Sequence, residues 1–394
     1  MKIWIIVTIS ILLASCNKYL EKSGDPTKRV PRTVRDVLLL LDQQIPSGPI
    51  DIASDQFFVT DPMFDIIDWS EPEIDLYTKW IPNWTGTFIN DDFWKQPYKA
   101  VFNANICLET LAGAQVTTTN KADYERALGA AYFERAFAFT TIAWQFAKAY
   151  NEATAKTDLG VVIDLHSEVT EKLNRSSVEE TYAQIISDLE NSLKHLPETG
   201  DHPLRPSQMA ARGLLARVYL SMRKYDKALE QCNFVLQKRN ELLDFNNPAD
   251  VNIGYVYPMQ LQRYGKEMIY NKQSYTPPNY TGNLFYFPVD SNLVKSYAVN
   301  DLRKTAWFQY GTFVADEFAR FYGSPEGRPI MSGICVDEIY LIRAECYARA
   351  NEVGKAMKDL NDLLVTRWKS GTYIPFTAST KEEALEIILE ERRK

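Results

Sequence analysis

The sequence has little histidine and cysteine, and its basic residues do not outnumber its acidic ones. Among 394 residues there are three His and five Cys, no Cys-x-x-Cys pair occurs, and no His has metal-ligand spacing, which argues against a zinc site. The 44 Lys and Arg against 51 Asp and Glu give a net charge of −7. Because binding through nucleic-acid phosphates needs a basic face, this balance argues against a nucleic-acid partner.

Long apolar runs are also missing beyond the N-terminus. No later stretch has 18 apolar residues in a row, so we expect no membrane-spanning helix there. Apolar residues make up 45% and charged residues 24% of the chain, a balance that excludes a disordered chain, collagen and a bare coiled coil. The length allows two or three domains of about 150 residues, or one large domain of stacked repeats.

The one long apolar run indicates export. Lys2 precedes an apolar stretch from Ile3 to Leu13, which has the length of a signal-peptide core and is too short to span a bilayer. Leu13-Ala14-Ser15-Cys16 has the lipobox pattern, in which the thiol takes a diacylglyceryl group. We therefore predict a lipoprotein signal peptide over 1–15, lipidation at Cys16 and a lipid tether over 16–30. The alternative is an ordinary cleaved signal with a coincidental Cys.

Helical periodicity dominates from residue 92 onward. The apolar stripes predict helices over Asp92–Leu111 and Tyr124–Tyr150, the second apolar all round and therefore central. Ser176 and Glu179 have capping-box spacing at the start of a third helix, which Pro197 terminates. Four cysteines besides Cys16 remain, and the exported context leaves their disulfide state open; they are Cys107, Cys232, Cys335 and Cys346.

Two stretches repeat one pattern of small and large residues. Ala216, Tyr219, Ala228 and Cys232 recur 128 residues later as Ala344, Tyr347, Ala356 and Leu360. This is the register of tetratricopeptide repeats, in which small residues let two helices approach closely. The pattern predicts helical hairpins over 207–238 and 334–367 that superpose, with turns at 223–226 and 351–354. Two unrelated amphipathic helix pairs are the alternative.

Two segments lack a clear period. Residues 46–91 are rich in Pro, Asp and Trp, and residues 240–333 are rich in Tyr, Pro, Gly and Asn. Long irregular segments within a compact domain are usually functional. We therefore expect the site in these two segments, referred to below as the first segment (46–91) and the irregular block (240–333).

Six motifs in a fixed order resemble those of the SusD/RagB family of outer-membrane nutrient-binding lipoproteins. They are Ser15–Glu21 at the acylated start, Trp94, Tyr98, Val101 and Asn105 on one helix, Ala131–Ala136 on the next, Arg175–Pro197, Arg205–Leu220, and Asp337–Asn361. The chain departs from these motifs at Glu134, where the family usually has an apolar residue. The family's usual E-L-x-x-E-G-x-R segment does not follow Glu391. We therefore expect Leu385, Ile388 and Leu389 to be less covered.

The resemblance implies a fold and a function. The fold is mainly all-α, with tetratricopeptide-like helical repeats in a single domain over 31–394 and a large irregular insertion near 240–333 that binds ligand. The function is that of a lipid-anchored, surface-exposed outer-membrane protein that binds nutrient oligosaccharides, or peptides in some relatives. It delivers them to a SusC-like TonB-dependent transporter. The resemblance implies no enzymatic activity and no cofactor.

Residue chemistry points to candidate contacts for such a ligand. Sugar rings present apolar faces that stack on planar aromatic side chains. The candidate platforms in the two irregular segments are Trp69, Tyr77, Trp80, Trp84, Tyr275, Tyr280, Tyr286 and Trp307. Asn83, Asn90, Asn279 and Asn283 lie beside them and can bond hydroxyls as donors and acceptors. We expect Trp84→Ala and Trp307→Ala to lower glycan affinity without lowering the melting temperature.

Two other functions remain open from the sequence. A repeat scaffold can bind a protein or peptide partner without capturing nutrient. A helical glycoside hydrolase needs two carboxylates about 5–10 Å apart. The acidic residues that could supply them are Asp61, Asp65, Asp68, Glu71, Glu73 and Asp75. No nucleophile motif accompanies this acidic cluster, so the enzyme is the weaker of the two alternatives.

Overall fold

A computed structural model describes most of the chain after the tether. The described residues are 31–43, 45, 46, 56, 58, 92–168, 173–253, 264–272, 288–310, 319–321 and 332–394. The predicted signal peptide and Cys16 lie outside them. Among the helices of these ranges, none is long and apolar enough to cross a membrane.

The described chain is mostly helical, which confirms the predicted fold class. The helices are α1 (Val34–Leu41), α2 (Asp92–Ala112), α3 (Lys121–Phe146), α4 (Val178–His195), α5 (Gln208–Ser221), α6 (Tyr225–Lys238), α7 (Ser291–Ser296), α8 (Leu302–Trp307), α9 (Val336–Arg349), α10 (Val353–Leu364) and α11 (Lys381–Arg393). The strands are β1 (Leu159–Val162), β2 (Arg175–Ser177), β3 (Met268–Tyr270), β4 (Phe308–Tyr310), β5 (Ala319–Phe321) and β6 (Ile334–Cys335). They pair antiparallel as β1–β2, β3–β6 and β4–β5.

The long helices pack on one another largely in chain order. Each of α2 to α5 packs on the next helix, α6 packs on α9, and α9 packs on α10 and α11. The central helix α3 is buried on most of its surface, as predicted, and Phe133, Phe139 and Ile142 are almost fully buried. It ends at Phe146 rather than at Tyr150, and Ala147 is extended. The guanidinium of Arg175 binds the carbonyl oxygen of Phe146 at 2.9 Å, a contact that the local sequence does not reveal.

The helices of the two predicted hairpins begin at equivalent positions, 128 residues apart, and α10 ends two residues before the equivalent of the end of α6. Arg223 and Asn351 occupy equivalent left-handed positions, with φ of 60° and 61°. In the first turn the N–H of Lys224 donates to the carbonyl of Tyr219 at 2.9 Å, and the second turn repeats this bond one repeat later at 2.8 Å. This is the Schellman termination of a helix, and its recurrence confirms the repeat. The turns are shorter than predicted, because Tyr225 and its equivalent Val353 begin the second helices.

Small residues hold the helices of each hairpin together. Ala216 and Ala228 in the first hairpin and Ala344 and Ala356 in the second are completely buried. Because no larger side chain stands at these contacts, the helix backbones approach closely, and the neighbouring aromatic residues fill the grooves. The small residues predicted from the repeat register therefore lie at the helix–helix contacts.

The cap of α4 lies one residue later than predicted. Ser177 is the N-cap and forms the capping box with Glu180, whereas the prediction paired Ser176 with Glu179. The hydroxyl of Ser176 is used in β2, where it donates to the carbonyl of Val161 at 2.8 Å. Both candidate capping boxes have the same spacing of three residues. The hydrogen bond from Ser176 to β1 leaves Ser177 as the cap.

The cysteines outside the lipobox are free thiols in the structure. Cys107, Cys232 and Cys346 are buried, and Cys335 is half-buried. Burial raises the pKa of Cys107 and of Cys346 to about 12, so these thiols stay protonated. They act as small apolar residues of the core.

The end of the chain is better covered than expected. Ile388 is completely buried and Leu385 is partly buried against the same cluster. Leu389 is 44% exposed, so the expectation of a less covered surface holds for this residue alone. Leu389 lines a groove that is described below.

Candidate ligand-binding site

Most of the predicted platforms cannot be placed. The aromatic residues at 69, 77, 80, 84, 275, 280 and 286, their neighbouring asparagines and the acidic cluster lie outside the described residues. Their role as ligand contacts therefore stays a prediction. The structure does show where the described ends of the two segments lie, and which groups hold them.

Trp307 is the one predicted platform within the described residues. It ends α8, is half-buried, and packs against two apolar clusters. Its ring centroid lies 6.2 Å from that of Tyr297 and 6.2 Å from that of Phe245. Truncation of this side chain would remove these contacts, so the expectation that Trp307→Ala leaves the melting temperature unchanged is corrected. Its contact with a ligand remains a prediction.

The first segment and the irregular block meet at one junction. The N–H of Phe58 donates to the carbonyl of Pro288 at 3.1 Å, and the N–H of Asp290 donates to the carbonyl of Gln56 at 2.7 Å. The end of α11 joins both: the amide of Gln56 donates to the carbonyl of Arg393 at 3.2 Å. The side chain of Arg393 lies 3.0 Å from the carboxylate of Asp290. Residues far apart in sequence are thereby held side by side.

A buried charge network anchors the irregular block to α11. Arg303 lies 2.6 Å from Asp301 and 2.9 Å from Glu391, and all three side chains are at most 6% exposed. The ammonium group of Lys394 lies 2.7 Å from Glu391. Since an unpaired buried charge is very costly, these groups bind one another in a fixed geometry.

A second buried pair holds the start of the block. Arg367 lies 2.5 Å from Glu267 and donates to the carbonyl of Leu243 at 2.5 Å. Glu267 in turn accepts from the N–H of Leu243 at 2.8 Å. Burial raises the pKa of Glu267 to about 7, although the neighbouring Arg367 opposes the rise. The charge of Glu267 therefore changes with pH near neutrality.

A second junction lies beside α3. Ile45, Pro46, Pro97, Glu134 and Lys272 line one small cavity. Pro46 opens the first segment and Pro97 lies early in α2, which follows that segment, whereas Lys272 belongs to the block. The two segments thus also approach each other where they join the repeat scaffold.

A separate groove of about 740 Å³ lies between α3, α5, α9 and α11. Its apolar lining residues are Phe137, Trp144, Leu214, Leu220 and Leu389. The charges are paired: Arg217 binds Glu338 through two nitrogen atoms, and Arg392 binds Glu345. Sequence reasoning missed this groove, because the repeat register identifies helix–helix contacts and not the face that the helices share.

Metal-ligating side chains do not cluster in the described part of the chain. No group of three or more His, Cys, Asp or Glu side chains there could hold a metal ion. Within each junction, the charged side chains form ion pairs with one another.

Comparison with known proteins gives the relationship. A family model described as SusD-like, starch-binding and associating with the outer membrane matches residues 18–220, which is more than half of the chain. The chain belongs to the SusD-like family. This SusD-like chain is 28% identical over 165 residues to SusD-like protein P2 of Formosa agariphila. The match covers 41% of this chain but only 30% of that protein.

Solved structures share the fold of this SusD-like chain. A SusD superfamily protein from Bacteroides thetaiotaomicron has a TM-score of 0.72 at 19% identity, covering 92% of this chain and 85% of that one. A SusD superfamily protein from Bacteroides fragilis has a TM-score of 0.71 at 20% identity, covering 94% and 87%. A SusD-like carbohydrate-binding protein from Bacteroides vulgatus has a TM-score of 0.67 at 22% identity, covering 92% and 80%. At these identities the likeness establishes the fold.

Proposed function

We propose that this chain is a cell-surface lipoprotein, anchored through Cys16, that binds nutrient oligosaccharides and delivers them to a SusC-like TonB-dependent transporter. The observation that carries the proposal is the meeting of the first segment and the irregular block on a SusD-like scaffold. The N–H of Phe58 donates to the carbonyl of Pro288 and the N–H of Asp290 to that of Gln56, and Pro46 and Lys272 line one cavity. The family's description as starch-binding and associated with the outer membrane supports it. No catalytic step is part of this function.

The two segments carry side chains suited to sugar rings. Aromatic rings stack on the apolar faces of sugars, at about 0.5–1.5 kcal/mol for each contact. The platforms we propose are Trp69, Tyr77, Trp80, Trp84, Tyr275, Tyr280, Tyr286 and Trp307. A few such contacts give modest affinity, which suits a protein that must release its ligand to a transporter.

The anchors described above support the proposed site from the described part of the chain. The network of Arg303, Asp301 and Glu391 and the pair of Arg367 and Glu267 hold described parts of the irregular block against the helices. A site held in place before binding loses less conformational entropy when ligand arrives. Shallow stacking contacts are then sufficient for selective capture.

Isothermal titration against a panel of soluble malto-, xylo- and manno-oligosaccharides tests the binding function. We expect Trp84→Ala to weaken the affinity for the binding glycan about tenfold, the effect of one lost stacking contact, with unchanged circular dichroism. Trp144→Ala, which alters the groove between α3 and α5, is the matched control and should bind normally. Wild-type affinity in Trp84→Ala would contradict the proposed site. Release of reducing sugar by the purified protein would contradict a non-catalytic role.

The anchor and the partner have their own tests. Cys16→Ala should release the protein from the membrane fraction and abolish labelling with palmitate. A SusC-like transporter co-expressed with the chain should co-purify with it in detergent. Continued membrane association and labelling of Cys16→Ala, or failure of the two proteins to co-purify, would contradict the corresponding part of the proposal.

The groove favours a second candidate, a repeat scaffold that binds a protein or peptide partner. Its apolar lining and paired charges offer an extended surface between the first helices of successive hairpins, the kind of surface that repeat proteins use. In that case no panel glycan should bind the wild-type protein, and Trp144→Ala and Leu389→Asp should reduce co-purification of the transporter. Unchanged co-purification in both variants would exclude this role for the groove.

A further inference from the structure

Glu134 lies in the middle of α3, at the position where the family-like motif departs from an apolar residue. Its side chain is 12% exposed, and its carboxylate lies 2.6 Å from the Nζ atom of Lys272, which is 3% exposed. The hydroxyl of Tyr270 donates a hydrogen bond to the other carboxylate oxygen. A segment 138 residues away in the sequence therefore completes the surroundings of this carboxylate.

Lys272 belongs to a neck, which we define as residues 268–272 and 332–335. The 273–331 stretch leaves the repeat scaffold at Lys272 and returns at Ser332, whose N–H donates to the carbonyl of Lys272 at 2.9 Å. Within the neck β3 pairs with β6, with Tyr270 opposite Ile334. Gly333 permits this close approach, because a Cβ atom there would lie 2.1 Å from the carbonyl oxygen of Tyr270.

The neck is held against α3 through Tyr270 and Lys272. The ring of Tyr270 is completely buried and packs edge-on against Phe133 at 4.8 Å. Lys272 lies 5.8 Å from the ring centroid of Phe137. The pair also borders the cavity lined by Pro46 and Pro97. The Glu134–Lys272 pair thus lies between the neck of the irregular block and the ends of the first segment.

A buried ion pair contributes more to fixing one geometry of the groups around it than to the free energy of unfolding. Well-packed apolar residues of similar volume stabilise a core as well as a buried pair does, whereas loss of one partner leaves an uncompensated charge. Apolar side chains tolerate small shifts of the neck along α3. A short charge-assisted contact between Glu134 and Lys272 forms in only one position of the neck.

We infer that Glu134 and Lys272 are positioning residues, which fix the neck against α3 and thereby set the geometry of the ligand site. The effect on ligand affinity rests on the proposed function. The effect on the neck does not, since it can be measured without ligand.

The test replaces both partners at once. We expect Glu134→Leu/Lys272→Met to melt within about 3 °C of the wild-type protein, because no charge is left unpaired and only the hydrogen bond from the Tyr270 hydroxyl to Glu134 is lost. Amide exchange in the neck should become about tenfold faster. The affinity for the panel glycan that binds wild type should fall about fivefold. Lys272→Met alone should lower the melting temperature by about 5 °C or more, because Glu134 loses its cation.

A matched control removes another pair in the same way. Arg343 and Asp359 lie 2.7 Å apart in the second hairpin, with side chains 19% and 6% exposed. Arg343→Met/Asp359→Leu should leave exchange in the neck and glycan affinity unchanged. Should the leucine fail to pack at position 134, Glu134→Gln/Lys272→Gln makes the same test with neutral polar groups.

The outcomes separate this inference from the proposed function. Wild-type exchange and wild-type affinity in the folded double variant would overturn the inference. Faster exchange with unchanged affinity would overturn the link between neck and ligand site, while glycan binding itself would still stand. If the wild-type protein binds no panel glycan, the proposed function fails, and exchange alone decides whether the pair positions the neck.

Discussion

The repeat scaffold and the irregular block differ in the contacts that fix their elements, although both contain apolar clusters and buried ion pairs. In the scaffold the helices meet through small apolar residues at fixed register, and Ala216 and Ala344 occupy equivalent, completely buried positions. In the block, short helices and strands are attached through buried charges, of which Arg303 with Asp301 and Glu391 is an example. The irregular block thus has little regular secondary structure and is attached through buried ion pairs that form in one geometry.

The difference shows how segments without regular structure can be fixed to a helical scaffold. Apolar burial is roughly proportional to area and has little direction, so it suits helices that already have a regular form. Segments without a regular form need contacts that hold in one arrangement only, and buried charge-assisted hydrogen bonds supply them. The helix contacts at Ala216 and Ala344 should therefore respond to changes of volume, and the attachment of the block through Arg303 to changes of charge.

The largest expected effect is the loss of a charge anchor. Arg303→Met leaves Asp301 and Glu391 buried with fewer partners, and we expect a loss of about 3–5 kcal/mol in the free energy of unfolding. Urea unfolding followed by circular dichroism measures it. The exposed pair of Arg126 and Asp123 at 3.0 Å is the control, and Arg126→Met should cost less than about 1 kcal/mol. Equal losses in the two variants would refute the contrast.

The scaffold should respond to added volume. Ala216→Leu forces three extra carbon atoms into a closed helix contact, with an expected loss of about 1–3 kcal/mol. Because Ala344 is the equivalent residue one repeat later, Ala344→Leu should cost a similar amount, within about 1 kcal/mol. Thermal or urea unfolding checks both variants. A neutral effect at one position and a large effect at the other would show that the repeats are not equivalent in packing.

Stability should depend on pH through Glu267. Its pKa is raised from 4.5 to about 7 in the folded chain, so the folded state holds the proton more tightly than the unfolded state does. The resulting stabilisation is fully present below about pH 4.5 and is lost as pH rises through about 7. Between pH 5 and 8 the wild-type protein should lose about 1–3 kcal/mol relative to Glu267→Gln. Parallel pH profiles of the two proteins would contradict the raised pKa.

The smallest expected effect concerns a helix cap in the scaffold. Ser177→Ala removes the side-chain oxygen that accepts from the N–H of Glu180, and should cost about 1 kcal/mol. Ser379→Ala is the control, since Ser379 stands just before the N-cap Thr380 of α11. It should change stability by less than about 0.5 kcal/mol. Equal costs at the two serines would contradict the assigned cap.

The scaffold could be predicted from the sequence because its determinants are periodic. Four positions from Ala216 to Cys232 recur at one spacing, so the helix contacts of each hairpin can be predicted from that hairpin's own residues. Local ambiguity remained where two solutions had the same spacing, as with Ser176 and Ser177. There the bond between Ser176 and Val161 of another strand decides the register, and no local pattern contains it.

The anchors of the irregular block could not be predicted. Glu134 and Lys272 are 138 residues apart. The sequence marks Glu134 as a charge at an apolar position, but nothing in it identifies Lys272 as its partner. Their pairing depends on the path of the chain, which has no period in this region. Trp307 illustrates the same limit, because its sequence context is that of a loop aromatic while the structure packs it against Tyr297 and Phe245.

Hydrogen–deuterium exchange with and without a saturating panel glycan tests the central claim most directly. The two regions are then compared in one experiment on the same protein. The account predicts slower exchange on ligand binding in residues 47–91 and 273–331, with α5 and α9 unchanged. Protection confined to the helices around the groove, with none in the two irregular segments, would contradict it.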